Sequence, residues 1–113
     1  MTPSIAEIAV ADLASPLPES LVVLDVREDD EWHAGHIDAA LHIPLRDVPQ
    51  RLAEISSDHR VLVVCRVGAR SGQATAFLQA QGKDVVNLAG GMLEWARNGR
   101  SMVTEGSGPP SVR

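Results

Sequence analysis

Residues 61–71 read VLVVCRVGARS, and this stretch decides how the chain folds. Four apolar residues, three of them β-branched, are typical of a strand that is buried on both faces of a parallel sheet. Such a strand delivers Cys65 to its C-terminal end, where Gly68 predicts a turn and a helix begins just behind it. Amide N–H groups point inward in a turn of this kind, and the helix N-terminus adds partial positive charge. The sequence therefore predicts an activated thiolate at Cys65 that faces an anion.

The rest of the chain alternates apolar runs with helical patterns, which predicts an α/β domain on a mostly parallel sheet. Ser71 is the favoured N-cap of the helix behind Cys65, and Gly82 is a suitable residue just past its end. Sites in such sheets lie outside the carboxyl ends of the strands, where Cys65, Asp25 and Arg27 all fall. Strands are predicted near residues 5–10, 21–26, 40–43, 60–64 and 85–88, and helices near 10–14, 29–34, 49–55, 71–81 and 90–98.

Length and composition set further limits. The chain has 113 residues, of which 44% are hydrophobic, and this suits one domain with a single core. We expect that domain over residues 1–100 and a flexible tail over residues 101–113, where Ser, Gly and Pro accumulate. The net charge of −5 argues against nucleic acid or an anionic membrane as the main partner. A lone cysteine, no basic residue before Arg27 and no apolar run of spanning length together predict a cytoplasmic protein.

Several short stretches of the chain resemble the signatures of rhodanese-like domains, and they occur in the same order as in that family. The resembling stretches are LDVRE (24–28), Glu31, GHI (35–37), IP (43–44), CRVGARS (65–71), Leu88, GGM (90–92) and Trp95. Asp38 and Ala39 depart from the Pro-Gly pair that the family often has, and this difference affects a turn rather than the chemistry.

The resemblance implies a five-stranded, mostly parallel sheet with helices on both faces. It also implies a sulfurtransferase that forms a persulfide on Cys65 and needs no cofactor. The Cys65 thiolate would attack the outer sulfur of thiosulfate or a related donor, and sulfite would leave. The terminal sulfur would then pass to cyanide or to a thiol acceptor, which can belong to a sulfur-relay protein. Sulfite is already a stable anion, so this reaction needs no general acid beside the cysteine.

The residues after Cys65 are predicted to form the substrate-binding loop, because their backbone N–H groups can hold negative charge on the sulfur. Arginines bind oxyanions well, and Arg70, which closes the loop, is the stronger candidate for binding the donor. Arg66 fits an outward orientation almost equally well. Ser71 could donate to the thiolate, although capping the helix is favoured. The predicted loop residues are Arg66, Val67, Gly68, Ala69, Arg70 and Ser71.

Supporting roles are expected for two residues at the end of the neighbouring strand. By resemblance, Asp25 and Arg27 orient the loop through hydrogen bonds and ion pairs. Glu28 and Glu31 are expected to be solvated or paired with Arg27. The four histidines lack metal-ligand spacing and there is no cysteine cluster, so no metal site is predicted.

Two other classes of function compete with sulfur transfer. Phosphatases and arsenate reductases of related fold use a longer loop, with arginine six positions after cysteine, whereas here that position is Ser71 and the arginine is Arg70. A phosphatase also needs a general acid, and none is evident. Rhodanese-like domains can also serve as non-enzymatic interaction modules or as sulfur relays. The interaction modules usually lack the cysteine that this chain has.

Overall fold

The computed structural model describes residues 4–113, and within them five strands form one parallel sheet. The strand order is β1-β5-β4-β2-β3, so β4, which leads to Cys65, lies in the middle. The apolar run of β4 explains this place, because its residues 61–64 are fully buried. The strands are β1 (Glu7–Ala9), β2 (Leu21–Asp25), β3 (Leu41–His42), β4 (Arg60–Val64) and β5 (Val85–Ala89).

Helices cover both faces of this sheet, as the resemblance predicts. Helix α2 packs Ala74 and Leu78 against one face, and α3 packs Met92 and Trp95 against the other. Burying one such Leu or Met side chain stabilises the fold by roughly 1.5–3 kcal/mol. The helices are α1 (Asp29–Ala34), α2 (Ala69–Ala80) and α3 (Gly91–Arg97), with 3-10 turns at Val10–Asp12, Leu45–Asp47 and Leu52–Glu54.

Three helix predictions were wrong. The helix expected near residues 10–14 is only the 3-10 turn Val10–Asp12. The helix expected over residues 49–55 is only the 3-10 turn Leu52–Glu54, which suffices to place Leu52 and Ile55 on the same core-facing side. Helix α2 begins at Ala69 rather than behind Ser71, because Gly68 adopts a left-handed conformation (φ 105°) and becomes the N-cap itself. Gly82, with φ 83°, lies just past the end of α2 as predicted.

The C-terminal segment, residues 101–113, is docked rather than free. Its composition predicts a flexible tail, but two apolar side chains, Met102 and Val112, pack against the core. Val103 exchanges backbone hydrogen bonds of 2.9 and 2.8 Å with His36. The Ser111 N–H donates to the Ala34 carbonyl at 2.9 Å, so the segment lies across the end of α1. Among the described residues, no helix is both long enough and apolar enough to cross a bilayer.

Candidate active site

The candidate site forms around Cys65 at the carboxyl edge of the sheet. Strand β4 ends at Val64, whose register partner on β2 is Asp25. Cys65 and Asp25 therefore lie at the ends of adjacent strands. The cysteine loop, residues 65–71, then turns from β4 into α2. Cys65 is only 1% exposed, which places its sulfur beneath the loop rather than on the surface.

Two donors of the cysteine loop point at the sulfur. The Gly68 N–H lies 3.1 Å from Cys65 Sγ, and the Ser71 hydroxyl donates to the same atom at 3.2 Å. Burial raises the pKa of the Cys65 thiol, but these two donors and the backbone N–H groups of Ser71 and Val67 outweigh burial and hold that pKa below its ordinary value. The favoured role of Ser71 as a helix cap is therefore wrong. Its side chain faces the sulfur instead.

The carbonyl groups at the start of the loop are held away from the sulfur. The Met92 N–H donates to the Cys65 carbonyl at 2.8 Å, and the Leu93 N–H donates to the Arg66 carbonyl at 3.1 Å. This close approach needs Gly91, because a Cβ there would lie 2.5 Å from the Cys65 carbonyl oxygen. Gly91, the first residue of α3, thus explains why the two carbonyl groups face α3 and the loop N–H groups are left facing the thiol.

The middle of the loop is fixed by a residue that sequence analysis missed. The Gly68 carbonyl accepts hydrogen bonds from the Gly72 N–H at 3.0 Å and from Asn87 Nδ2 at 3.1 Å. Asn87 lies on β5 and is 1% exposed. A single amide side chain within the apolar run of residues 85–88 was the signal that could have pointed to it, since buried polar groups need partners.

Arg70 closes the loop by pairing with helix α1. Its guanidinium donates to both carboxylate oxygens of Glu31, at 2.7 and 2.8 Å. The expectation that Glu31 is solvated or paired with Arg27 is wrong. The hydrogen bonds from Arg70 lower the pKa of Glu31 despite partial burial, and the same pair raises the pKa of Arg70. Glu28, the other carboxylate of that expectation, pairs with Arg46 at 2.6 Å.

The outer edge of the cysteine loop is formed by Arg66, Val67 and Ala69. All three are exposed, and Val67 is one of the exposed large apolar side chains. Arg66 points away from the sulfur, and its Nε donates to the Arg113 carbonyl at 3.0 Å. The C-terminal segment therefore reaches the edge of the candidate site.

Asp25 and Arg27 form a fully buried ion pair at the end of β2. Arg27 Nη2 lies 2.7 Å from Asp25 Oδ2 and also donates to the Gly35 carbonyl at 2.8 Å. Within residues 4–113, neither side chain makes a hydrogen bond to the cysteine loop. Arg27 instead holds Gly35, the C-cap of α1, and α1 is the helix that carries Glu31. Any effect on the loop is therefore indirect.

Comparison with known proteins identifies the relatives of this chain. The family model described as Rhodanese-like domain matches residues 9–98. A protein of Allochromatium vinosum named sulfurtransferase is 43% identical over 86 residues, which are 75% of this chain and 80% of that protein. The structure of a rhodanese-related protein from Thermoplasma volcanium has a TM-score of 0.82 and 32% identity, covering 87% of this chain and 97% of that one. An NAD-dependent persulfide reductase from A. fulgidus has a TM-score of 0.66 and 35% identity, covering 80% of this chain and 16% of that one. The family match includes the cysteine loop and ends before the C-terminal segment.

Proposed function

The chain belongs to the rhodanese-like domain family, and from that premise we propose that it is a thiosulfate sulfurtransferase that carries sulfur on Cys65. Sulfur transfer in general is supported by the family and by the name of the Allochromatium relative. The observation that supports the finer proposal is the pair of donors, the Gly68 N–H and the Ser71 hydroxyl, that both point at Cys65 Sγ. They stabilise negative charge on this sulfur, which favours the nucleophilic thiolate over the thiol.

In the first half of the reaction, the Cys65 thiolate attacks the outer sulfur of thiosulfate. A new S–S bond forms on Cys65 while the S–S bond of thiosulfate breaks, and sulfite leaves with the electron pair of that bond. The negative charge moves to the terminal sulfur of the persulfide, where the inward-facing N–H groups of the loop can still hold it. No proton is transferred, so the absence of a histidine from the cysteine loop fits this chemistry.

In the second half, an acceptor attacks the terminal sulfur. Cyanide takes this sulfur and becomes thiocyanate, or an acceptor thiolate takes it and becomes a persulfide. In both cases the S–S bond breaks and the Cys65 thiolate is restored. The reductase from A. fulgidus, in which a related domain forms a small part of a larger chain, is named for persulfide chemistry, and this supports a persulfide on the related domain. If the acceptor thiol belongs to a protein, the exposed Val67 and Arg66 would be the first residues to meet it.

The recessed sulfur favours this reaction over phosphate-ester hydrolysis. Cys65 is 1% exposed, so only a narrow terminal atom of a donor can reach it, and an outer sulfur is such an atom. Two surface grooves, of about 390 and 740 Å³, are lined by other parts of the chain and include no residue of the cysteine loop.

Intact-mass analysis tests the proposal directly, because the chain has only one cysteine. The protein should gain one sulfur atom when it is incubated with thiosulfate, and it should lose that atom when cyanide is added. The Cys65→Ser variant is the matched control and should gain nothing.

Two results would contradict the proposal. A wild-type mass that stays unchanged with thiosulfate and with small-molecule persulfides would leave a non-enzymatic module as the better hypothesis. Turnover of a phosphoaryl ester without sulfur loading would indicate a phosphatase.

A further inference from the structure

We infer that Asn87 is a positioning residue, which fixes the Gly68 peptide so that its N–H points at the sulfur of Cys65. The inference depends on the proposed function only in taking Cys65 as the reacting group. Asn87 lies on β5, outside the cysteine loop, and its side-chain hydrogen bonds go to Glu7 and to the Gly68 carbonyl, not to the sulfur. Asn87 therefore acts on the sulfur through the backbone of Gly68.

The geometry forms a continuous series of hydrogen bonds from the sheet edge to the sulfur. Glu7 on β1 is the register partner of Asn87, and its Oε2 accepts from Asn87 Nδ2 at 2.8 Å. The same Nδ2 donates to the Gly68 carbonyl at 3.1 Å. The N–H of Gly68, in turn, lies 3.1 Å from Cys65 Sγ. The orientation of the loop donor is thus tied to a side chain on β5.

A loop glycine needs such a contact more than other residues do. Gly68 has φ 105°, a conformation that glycine adopts without strain but does not prefer strongly over its alternatives. The hydrogen bond from Gly72 belongs to the first turn of α2 and fixes only one lone pair of the Gly68 carbonyl. The amide of Asn87 takes up the second, so the Gly68 peptide is held from the helix and from the sheet together.

The buried amide of Asn87 uses its Nδ2 group, and not its Oδ1 atom, to hold the cysteine loop. Its side chain is buried, yet among the described residues Oδ1 has no hydrogen-bond partner. An unpaired buried acceptor costs stability, and an apolar residue of similar size would avoid that cost. Both contacts of Asn87 use Nδ2, one to a carboxylate and one to the loop. A donor anchored by Glu7 and directed at Gly68 accounts for an amide at this position.

Titration of the Cys65 thiolate in the ultraviolet tests the inference without any sulfur donor. The chain has one cysteine and no tyrosine, so tyrosinate does not overlap the thiolate signal. Asn87→Leu keeps the size of the side chain and removes both donated hydrogen bonds. We expect the pKa of Cys65 to rise in this variant and sulfur loading at neutral pH to fall several-fold. Val86→Ala is the control, because it weakens the same strand on the other face of the sheet.

A second pair of variants keeps the test decisive if Asn87→Leu does not fold. Glu7 is exposed, so its replacement should be tolerated. Glu7→Ala should raise the pKa of Cys65 by less than Asn87→Leu does, and Glu7→Gln, which keeps an acceptor, should restore much of the wild-type titration.

The inference is overturned if Asn87→Leu folds and titrates like the wild type. It is also overturned if Asn87→Leu does not fold and Glu7→Ala titrates like the wild type. A wild-type thiol with a low pKa that accepts no sulfur would instead count against the proposed function alone.

Discussion

Arg70 and Glu31 join the two helices that flank the cysteine loop through a bidentate ion pair of 2.7 and 2.8 Å. Glu31 is 13% exposed and Arg70 is 34% exposed, so the pair is partly shielded from water. Glu31 also accepts from the Glu28 N–H at 3.0 Å, as part of the capping box of α1. One carboxylate therefore fixes both the start of α1 and the arginine at the end of the loop.

The first prediction concerns acid stability. Hydrogen bonds from Arg70 lower the pKa of Glu31 in the folded state, so this carboxylate stabilises the fold above its ordinary pKa. That contribution is lost as the pH falls through the lowered, folded pKa. Glu31→Gln should reduce the free energy of unfolding at neutral pH by about 1 kcal/mol or less, because Arg70 is partly exposed. The difference from the wild type should shrink in acid, as measured by urea denaturation at several pH values.

A surface pair provides the control for this prediction. Arg51 and Glu54 make the same bidentate contact, at 2.7 and 2.8 Å, on an exposed turn. Glu54→Gln should change the unfolding free energy less than Glu31→Gln at neutral pH, because solvent screens the exposed pair. Equal effects of the two substitutions would mean that the Arg70–Glu31 pair is no more than a surface ion pair.

The second prediction assigns the Ser71 hydroxyl to the sulfur. It donates to Cys65 Sγ at 3.2 Å, so Ser71→Ala should raise the pKa of the thiol and slow its alkylation at neutral pH several-fold. Thr75→Val is the matched control, because the Thr75 hydroxyl is also buried on α2 but donates to the Ser71 carbonyl at 2.7 Å. The alkylation rate against pH gives the pKa for each variant. A thiol titration that shifts equally in both variants would contradict a specific role for Ser71.

The sequence predicted those parts of the site that depend on local pattern. An apolar run such as residues 61–64 is typical of a central strand in an α/β sheet, and the residue after it emerges at the carboxyl edge. Cys65 was placed in this way, and the short helix over residues 29–34 was predicted with its observed bounds. The place of Gly82 just past the end of α2 was predicted from the preference of glycine for that position.

The parts that were missed depend on contacts between distant residues. Glu31 and Arg70 are 39 positions apart, and no local pattern pairs them. Ser71 has the side chain of a helix cap, but the left-handed Gly68 starts the helix earlier and frees Ser71 for the sulfur. Docking of the C-terminal segment depends on Met102 and Val112, two apolar residues within a sequence that otherwise favours disorder.

The third prediction concerns the glycine that lets α3 approach the loop. Gly91→Ala would place a Cβ 2.5 Å from the Cys65 carbonyl oxygen, in addition to the strain of its positive φ of 58°. Gly99→Ala is the control, because its φ is 70° and nothing lies within 4 Å of the added atom. The control should lose about 1 kcal/mol of unfolding free energy, and Gly91→Ala should lose about 2 kcal/mol more, because the backbone must move. Chemical denaturation measures both losses.

The same pair of variants reports on the thiol. If α3 holds the loop carbonyl groups away from the sulfur, Gly91→Ala should also raise the pKa of Cys65, and Gly99→Ala should leave it unchanged. A loss of stability in Gly91→Ala with an unaltered thiol titration would show that the loop keeps its geometry without this contact.

The fourth prediction concerns docking of the C-terminal segment on α1. Gly35 has an extended backbone (φ 173°) that any residue adopts, so only the space around it restricts a substitution at this position. A Cβ there would lie 2.5 Å from the Ser111 carbonyl oxygen and 2.8 Å from the Ser111 nitrogen. Gly35→Ala should therefore displace Ser111 and break its hydrogen bond to the Ala34 carbonyl. Hydrogen exchange at the Ser111 amide should then be faster by at least tenfold, since an exposed amide loses its protection.

The control for docking lies within the segment itself. Gly106→Ala adds a Cβ that meets only ordinary contacts of 3.6 Å, with the side chains of His33 and Thr104. Exchange at Ser111 should stay at the wild-type rate in that variant. The amides of residues 61–64 should stay protected in both variants, because the central strand does not depend on the segment. If Ser111 exchanges at the wild-type rate in Gly35→Ala, α1 and the C-terminal segment are not packed as closely as the 2.9 Å Ser111–Ala34 hydrogen bond indicates.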